Sequence, residues 1–470
     1  MTERATRTPR ESVAERLSRG RAARAEVPRA SHGMYEPAAD RPDPVRVLEH
    51  EATTRIAALV PIRYGRMLAS PLAFYRGAAA IMASDLAATP RSGLAVQCCG
   101  DAHLSNLGVF ASPERRLMFD INDFDETLPG PWEWDIKRLS VSMLIAARER
   151  GFSTGRCEQI ALGTVSEYRT RMTGFAALTN LAVWYSRVDV ETLGPTLASA
   201  VDPVTRKRAG KLVAKARTHD SLNALSRLAQ MVDGVPRIAS RPPLLVPVEE
   251  LVESEREPLL ELLHGVLQVY RRTLQPDRRV LLDSYELVDL ARKVVGVGSV
   301  GTHAWVALFL GRDDRDPLFL QIKEARASVL EAFLPPSTYG NAGQRVVEGQ
   351  RLMQAASDIF LGWLNVEQDV DGRSRDFYVR QLRDWKGSAD VDSLTLEGMT
   401  AYGRLCGATL ARAHARSGDR VAIASYLGSG PAFDRAILAF SEAYADQNTR
   451  DHAALEAAAR SGRVTLEQGV

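Results

Sequence analysis

Between Gly100 and Asp135 the chain carries a charge pattern that few folds can absorb. Outside the turn at 111–116, seven carboxylates, Asp101, Asp120, Asp123, Asp125, Glu126, Glu133 and Asp135, fall within this one stretch. Asp and Asn are common in turns for local hydrogen-bonding reasons, but so many like charges repel, and a fold that keeps them uses them for a cation or for proton transfer. Two apolar runs, Leu107 to Phe110 and Leu117 to Ile121, flank a polar turn from Ala111 to Arg116. That pattern predicts a β-hairpin, which returns Asn106 to the side of Asp120 or Asp123. Acid, amide and acid around one spot form an oxygen-only donor set suited to a hard cation.

Composition limits the alternatives. The 470 residues are 45% hydrophobic and 25% charged, ordinary for a soluble globular chain of two or three domains. The net charge of +2 provides no overall field for nucleic acid. The four cysteines match neither a zinc pattern nor a disulfide framework. No apolar run is long enough to span a bilayer and no signal core follows the N-terminus, so a cytoplasmic protein without a membrane partner is expected. Residues 1–42 hold nine arginines and few large apolar side chains, which predicts a disordered, solvated arm.

Helical periodicity runs from Pro44 to Ala88, where Arg63, Arg66 and Arg76 either hold phosphates or balance the acids. Gly93 to Cys99 reads as a strand that feeds the acid-rich loop, and Trp134 to Arg150 as an amphipathic helix on which Arg138 pairs with an acid. Residues 151–280 are read as mostly helix, over 160–174, 205–233 and 248–274, punctuated by prolines. The basic run from Arg206 to Arg217 lacks interleaved aromatics, which argues for a solvated helix face over a nucleic-acid surface.

At Tyr285 the pattern turns to strand. Leu287 to Val295 leads into Gly296-Val-Gly298-Ser299-Val-Gly301-Thr302, followed by strands over 304–310 and 318–322, the second ending on Lys323. A Gly-x-Gly-x-x-Gly that opened a helix would suggest a dinucleotide fold. Here it opens a strand, and the glycines let backbone N–H groups approach phosphate oxygens. Strand, glycine loop, strand, turn and strand with a terminal Lys is the nucleotide lobe of a protein kinase. Lys323 is expected to reach the phosphates, with Glu348 on a helix over 344–358 as its partner and Glu324 and Glu331 as rivals. Residues 383–387 form a candidate hinge, and 393–416 a long helix.

Asp101 precedes Asn106 by five positions, the spacing of a kinase catalytic loop. The Gly-Asp-x-His-x-x-Asn at Gly100, Asp101, His103 and Asn106 resembles the aminoglycoside and choline phosphotransferases. In that family a metal-ligating Asp follows the next strand, with a Gly seven and an Asp twelve positions beyond. Asp123, Gly130 and Asp135 match; Asp120 does not, and stays an understudy because the hairpin turn is longer than usual. Asp135 is then implied to fasten the following helix to the loop. The pattern also resembles the bacterial domain-of-unknown-function family 2252, through Phe74-Tyr75-Arg76-Gly77, Gly100 to Asn106, Asn122 to Glu126, Trp134-Asp135, Gly298 to Thr302 and Arg380-Gln381-Leu382.

The two halves of a kinase-like site therefore occur in reversed order, and circular permutation is the simplest account. The expected fold is α+β, with a helical catalytic lobe over 43–280, a β-rich nucleotide lobe over 281–390 and helices over 391–470 that return to the first lobe. Either 68–88 or 393–416 precedes the catalytic loop in space. The expected function is transfer of a phosphoryl group from ATP, with Mg2+ or Mn2+, to an unidentified small-molecule or peptide hydroxyl. Asp101 and Lys323 are the catalytic residues, Asn106 and Asp123 the metal ligands, and Gly296, Gly298, Ser299, Gly301, Thr302, Lys323 and Glu348 the nucleotide site. The rivals are a silent nucleotide-binding module, AMP transfer to protein, and a metal hydrolase that uses the acids alone.

Overall fold

The computed structural model describes residues 11–192, 202–251, 256–294, 296–367, 372–382 and 385–469. Its first helix, α1 (Val13–Glu26), corrects the expected disordered arm. Ser12 and Glu15 close a capping box at its start. Two of its arginines anchor it, since Arg16 and Arg19 both pair with Asp419. A Cβ on Gly20 would fall 2.1 Å from the Ala422 carbonyl oxygen, so a bare glycine is what lets the helix dock. His32, fully buried, then meets Tyr426 at 2.6 Å. Residues 1–10 of that expectation lie outside the described residues.

Four short helices follow: α2 (Pro44–Ala52), α3 (Val60–Met67), α4 (Pro71–Gly77) and α5 (Ala79–Ala87). The acid-rich stretch then folds as two nested antiparallel pairs. Strand β1 (Ala95–Cys98) pairs with β4 (Leu128–Pro131), and between them lies the hairpin of β2 (Leu107–Ala111) and β3 (Leu117–Ile121), with Leu107 opposite Ile121. Helix α6 (Trp132–Glu149) starts where β4 ends and is buried from Trp132 to Ala147, polar residues included. Beside it run α7 (Thr154–Ala177) and α8 (Asn180–Tyr185).

The expected single helix over 205–233 is instead α9 (Pro203–Arg217), α10 (Ser221–Leu228) and a strand pair, β5 (Ala229–Val232) with β6 (Val235–Ile238). The cause is local: Asp233 and Gly234 both adopt positive φ, the conformation of a two-residue hairpin turn.

The second layer is a six-stranded antiparallel sheet in the order β11-β12-β10-β9-β8-β7. Its members are β7 (Leu245–Pro247), β8 (Glu286–Lys293), β9 (Ala304–Leu310), β10 (Pro317–Ala325), β11 (Gly362–Val366) and β12 (Arg375–Gln381). Helices α11 (Arg256–Thr273) and α12 (Pro276–Leu282) belong with it, because Tyr270, Leu274 and Leu282 share a core with Leu320, Leu364 and Phe377. Ala224, Leu228 and Ile238, like these helices expected in the first lobe, also share a core with the sheet. This apolar burial against the sheet is what the helical periodicity of 248–274 did not disclose.

Helix α13 (Ala342–Met353) crosses between the layers. Arg345 on it donates to the carbonyls of Asp125, Thr127 and Arg326, tying the acid-rich loop to the sheet. Gly387, beyond β12, bridges Val109 of the hairpin; of the candidate hinge, 383–384 lie outside the described residues. The chain closes with α14 (Leu396–Ser417), α15 (Arg420–Leu427) and α16 (Ala432–Arg460), which pack on α6 and α7. Between the two helical stretches that compete for the catalytic loop, α14 is the one on β1 and β3, and Tyr402 on it donates to the carbonyls of Leu104 and Leu107. The fold is mixed α+β, and no helix among the described residues is long and apolar enough to cross a membrane.

Candidate functional site

Asp101 sits in the loop after β1, and the start of that loop is fixed by Asp135. The Asp135 carboxylate accepts from Cys99 N at 2.6 Å and Gly100 N at 3.0 Å, and it meets His414 of α14 at 3.0 Å. This is the fastening role implied for it. The Asn106 side chain donates to the Asp101 carbonyl at 2.9 Å, so acid and amide are locked into one turn. Arg138 of α6 donates to the Asp101 carboxylate at 2.5 Å, so the acid it pairs with is the expected catalytic one. His103 lies 3.7 Å from the same carboxylate. Burial lowers the His103 imidazole to about 3, so it is neutral at ordinary pH.

The hairpin delivers Asp123 and Asp125 to the sheet. Lys323, only 3% exposed on β10, places its amine 2.6 Å from Asp125 and 3.8 Å from Asp123. Burial works against the Lys323 charge, but the two carboxylates outweigh it and hold the amine above its ordinary range. Burial likewise works against the Asp123 carboxylate, and Lys323, Arg380 and Lys386 overrule it, keeping it below the usual range. For Lys386 the same two carboxylates do not suffice: burial, reinforced by Arg380, pulls its amine down to about 7.

Asp125 is the hub that sequence reasoning passed over. Besides Lys323 it accepts from the Tyr378 hydroxyl at 2.6 Å and meets Ser299 of the glycine loop at 3.4 Å. The Asp-x-Asp spacing was the available signal, because Asp side chains turn the chain by accepting from the N–H two residues on, as Asp123 does from Asp125 N at 3.4 Å. Glu348 is not the partner of Lys323. It pairs with Arg351 at 3.0 Å on its own helix. The rivals are engaged too, Glu324 with Arg326 and Glu331 with the backbone N–H of Ser328. Asp120 is also displaced from the site: it is 1% exposed and paired with Arg412 of α14, because it points into the helical core.

A cleft of about 540 Å³ brings the rest together. Asp101, Asn106 and Asp123 line it from the helical layer, and Gly296, Gly298, Ser299, Thr302 and Lys323 from the sheet layer. Gly301 is not part of its lining; it packs on the Arg55 stem. A Cβ on Gly296 would meet nothing within 4 Å. Protein packing therefore does not demand glycine there, and the open space is what a ligand approaching the backbone would occupy. The Arg380 guanidinium, donating to Gln321 and to the Asn122 carbonyl, lines the same cleft and was not singled out as a site residue.

The donor chemistry suits a hard cation only in part. Asp123, Asp125 and Asn106 supply oxygens, but no group of three His, Cys, Asp or Glu among the described residues is arranged to hold an ion alone. Mg2+ commonly takes one or two carboxylates and completes its shell with phosphate oxygens and water. Two carboxylates and an amide oxygen are a donor set of that size.

No curated protein and no solved structure matches the chain. A family model described as "Uncharacterized protein conserved in bacteria (DUF2252)" matches residues 55–458, a span that contains every residue of the cleft named above. With most of its length matched, the chain belongs to the bacterial family DUF2252.

Proposed function

We propose that the chain is an ATP- and Mg2+-dependent phosphotransferase, built on a kinase-like pair of lobes whose order in the chain is permuted. The observation that carries the reading is the Lys323 amine lying 2.6 Å from Asp125 and 3.8 Å from Asp123, in one cleft with Asp101, Asn106 and the glycine loop. These segments lie about 200 positions apart in the sequence.

Lys323 and the loop amides bind the phosphates. Asp125 holds Lys323 in place until the phosphates arrive. Asp123 and Asn106 hold the metal ion, which when bound neutralises phosphate charge. Asp101, oriented by Arg138, aligns the acceptor hydroxyl and takes its proton. Such a site works by positioning and charge neutralisation. Asp101→Asn should lower turnover by roughly 10²–10⁴ with ATP affinity little changed. The test is an ATP-consumption screen across metabolites, followed by this variant. Full activity in Asp101→Asn would remove Asp101 from its role. Labelling with α- against γ-labelled ATP separates AMP transfer from phosphoryl transfer, and binding without turnover would indicate a silent module.

A further inference from the structure

Arg76 is one of the charged residues of the cleft that the proposed reaction leaves idle. It lines the cleft, and its Nε is buried without a hydrogen-bond partner among the described residues. Its own backbone carbonyl lies 3.5 Å from where a Cβ on Gly298 would be, so it sits directly against the glycine loop. Next to it is Arg63 of α3, 1% exposed. One Arg63 nitrogen donates to the Gly77 carbonyl at 2.9 Å and to Glu51 at 3.0 Å, while its Nε and Nη1 are buried without partners among the described residues. Arg55 donates to the carbonyls of Gly298 and Val300 and shares Glu51 at 3.9 Å. On this wall Arg55 and Arg63 share one carboxylate, Glu51, while Arg76 has no ion pair among the described residues. Asp101, the acid that acts on Arg76, is already paired with Arg138.

Buried cations without partners are costly, and guanidinium forks are matched to phosphate and carboxylate. The phosphates of a nucleotide already have Lys323 and the loop amides on the sheet side. Arg63 and Arg76 come from the helical side and line the same cleft as Asp101, whose charge acts on Arg76. We infer that Arg63 and Arg76 form an anion subsite for the acceptor, so that the hydroxyl aligned by Asp101 belongs to a small molecule bearing a phosphate or carboxylate group. The word acceptor rests on the phosphotransferase reading; the anion subsite does not.

The test is calorimetric titration of inorganic phosphate into the full chain saturated with Mg2+ and AMP-PCP, whose methylene-bridged triphosphate fills the γ-position. Phosphate should bind, and Arg76→Met should weaken it by about tenfold or more, the loss of one charge-assisted pair, with nucleotide affinity unchanged. A parallel titration with acetate separates the sources, the tighter anion naming the acceptor's group. Arg76→Met carries the test because this side chain has no ion pair or backbone bond to lose; Arg63→Met is a supporting variant. The inference is overturned if neither anion binds, or if Arg76→Met binds phosphate as well as the native chain does. It is equally overturned if phosphate binds beside Mg-ADP but is excluded by Mg-AMP-PCP, since Arg76 would then contact the transferred phosphoryl group. Should no nucleotide bind, the phosphotransferase reading fails by itself, and phosphate titrated into the nucleotide-free chain and its Arg76→Met variant still decides the subsite.

Discussion

Replacing Asp120 with asparagine separates the structural from the functional acids of the hairpin. Asp120 and Arg412 are each 1% exposed and meet at 2.5 Å. The carboxylate also accepts from Ile121 N at 2.9 Å and Ala355 N at 3.0 Å, joining β3 to the end of α13. Arg412 has no spare support, because its Nε and Nη1 are buried without partners among the described residues. The amide keeps the size of the side chain but leaves Arg412 as a buried, uncompensated cation. Removing one member of a buried pair costs about 3–5 kcal/mol. Removing both charges, as in Asp120→Asn with Arg412→Met, should recover part of that, since apolar replacement of a buried pair is often neutral or stabilising by about 1–4 kcal/mol. Urea unfolding followed by tryptophan fluorescence measures both. Nucleotide affinity, measured with Mg2+ on the folded protein, should not change. If Asp120→Asn unfolds within about 1 kcal/mol of the native chain and loses Mg-dependent nucleotide affinity, the reasoning is wrong and Asp120 is a metal ligand.

Three further outcomes follow from the packing. Glu348→Gln should leave nucleotide affinity within about twofold, as expected for a half-exposed pair with Arg351 that is remote from Lys323; a loss beyond tenfold in a nucleotide titration would restore Glu348 as the partner of Lys323. Lys137 is fully buried, its amine is 4.5 Å above the Phe440 ring, and burial lowers it from 10.5 to about 7. Its folded value lies below the unfolded one, so the unfolded chain holds more protons between those limits and stability rises with pH across that window. Lys137→Met should therefore be more stable than the native chain below pH 7 by on the order of 4 kcal/mol, with the gap closing toward pH 10.5; a gap that does not vary with pH in denaturant titrations would contradict this. Gly20→Val should dislodge α1, because its Cβ would meet the Ala422 carbonyl oxygen at 2.1 Å. Limited proteolysis should then cut within 13–26, and unchanged protection would show that the contact does not hold the helix.

What could be read without coordinates was whatever is written in local order. The two apolar runs around Ala111 to Arg116 specified the hairpin, because alternate burial and a tight turn are short-range properties. The spacing from Asp101 to Asn106 placed acid and amide in one turn, and Asp135 reaches the backbone of that loop. Strand, glycine loop and Lys323 followed in sequence, so their order along the sheet was legible as well. Asp233-Gly234 was equally local and was missed, because helical periodicity on either side masked a turn dipeptide. Partner choice was another matter. Whether Lys323 meets Glu348 or Asp125, and whether Asp120 faces a cleft or Arg412, depends on how two layers distant in sequence are pressed together. A charge is recruited by the nearest opposite charge in space, and that is set by apolar burial over the whole core. The same holds for α1: its arginines read as solvated until Asp419 and the narrow seat at Gly20 gave two of them somewhere to go. The arginines at 55, 63 and 76 were visible as residues, but only the tertiary structure brought them to the wall of one cleft, two of them sharing Glu51.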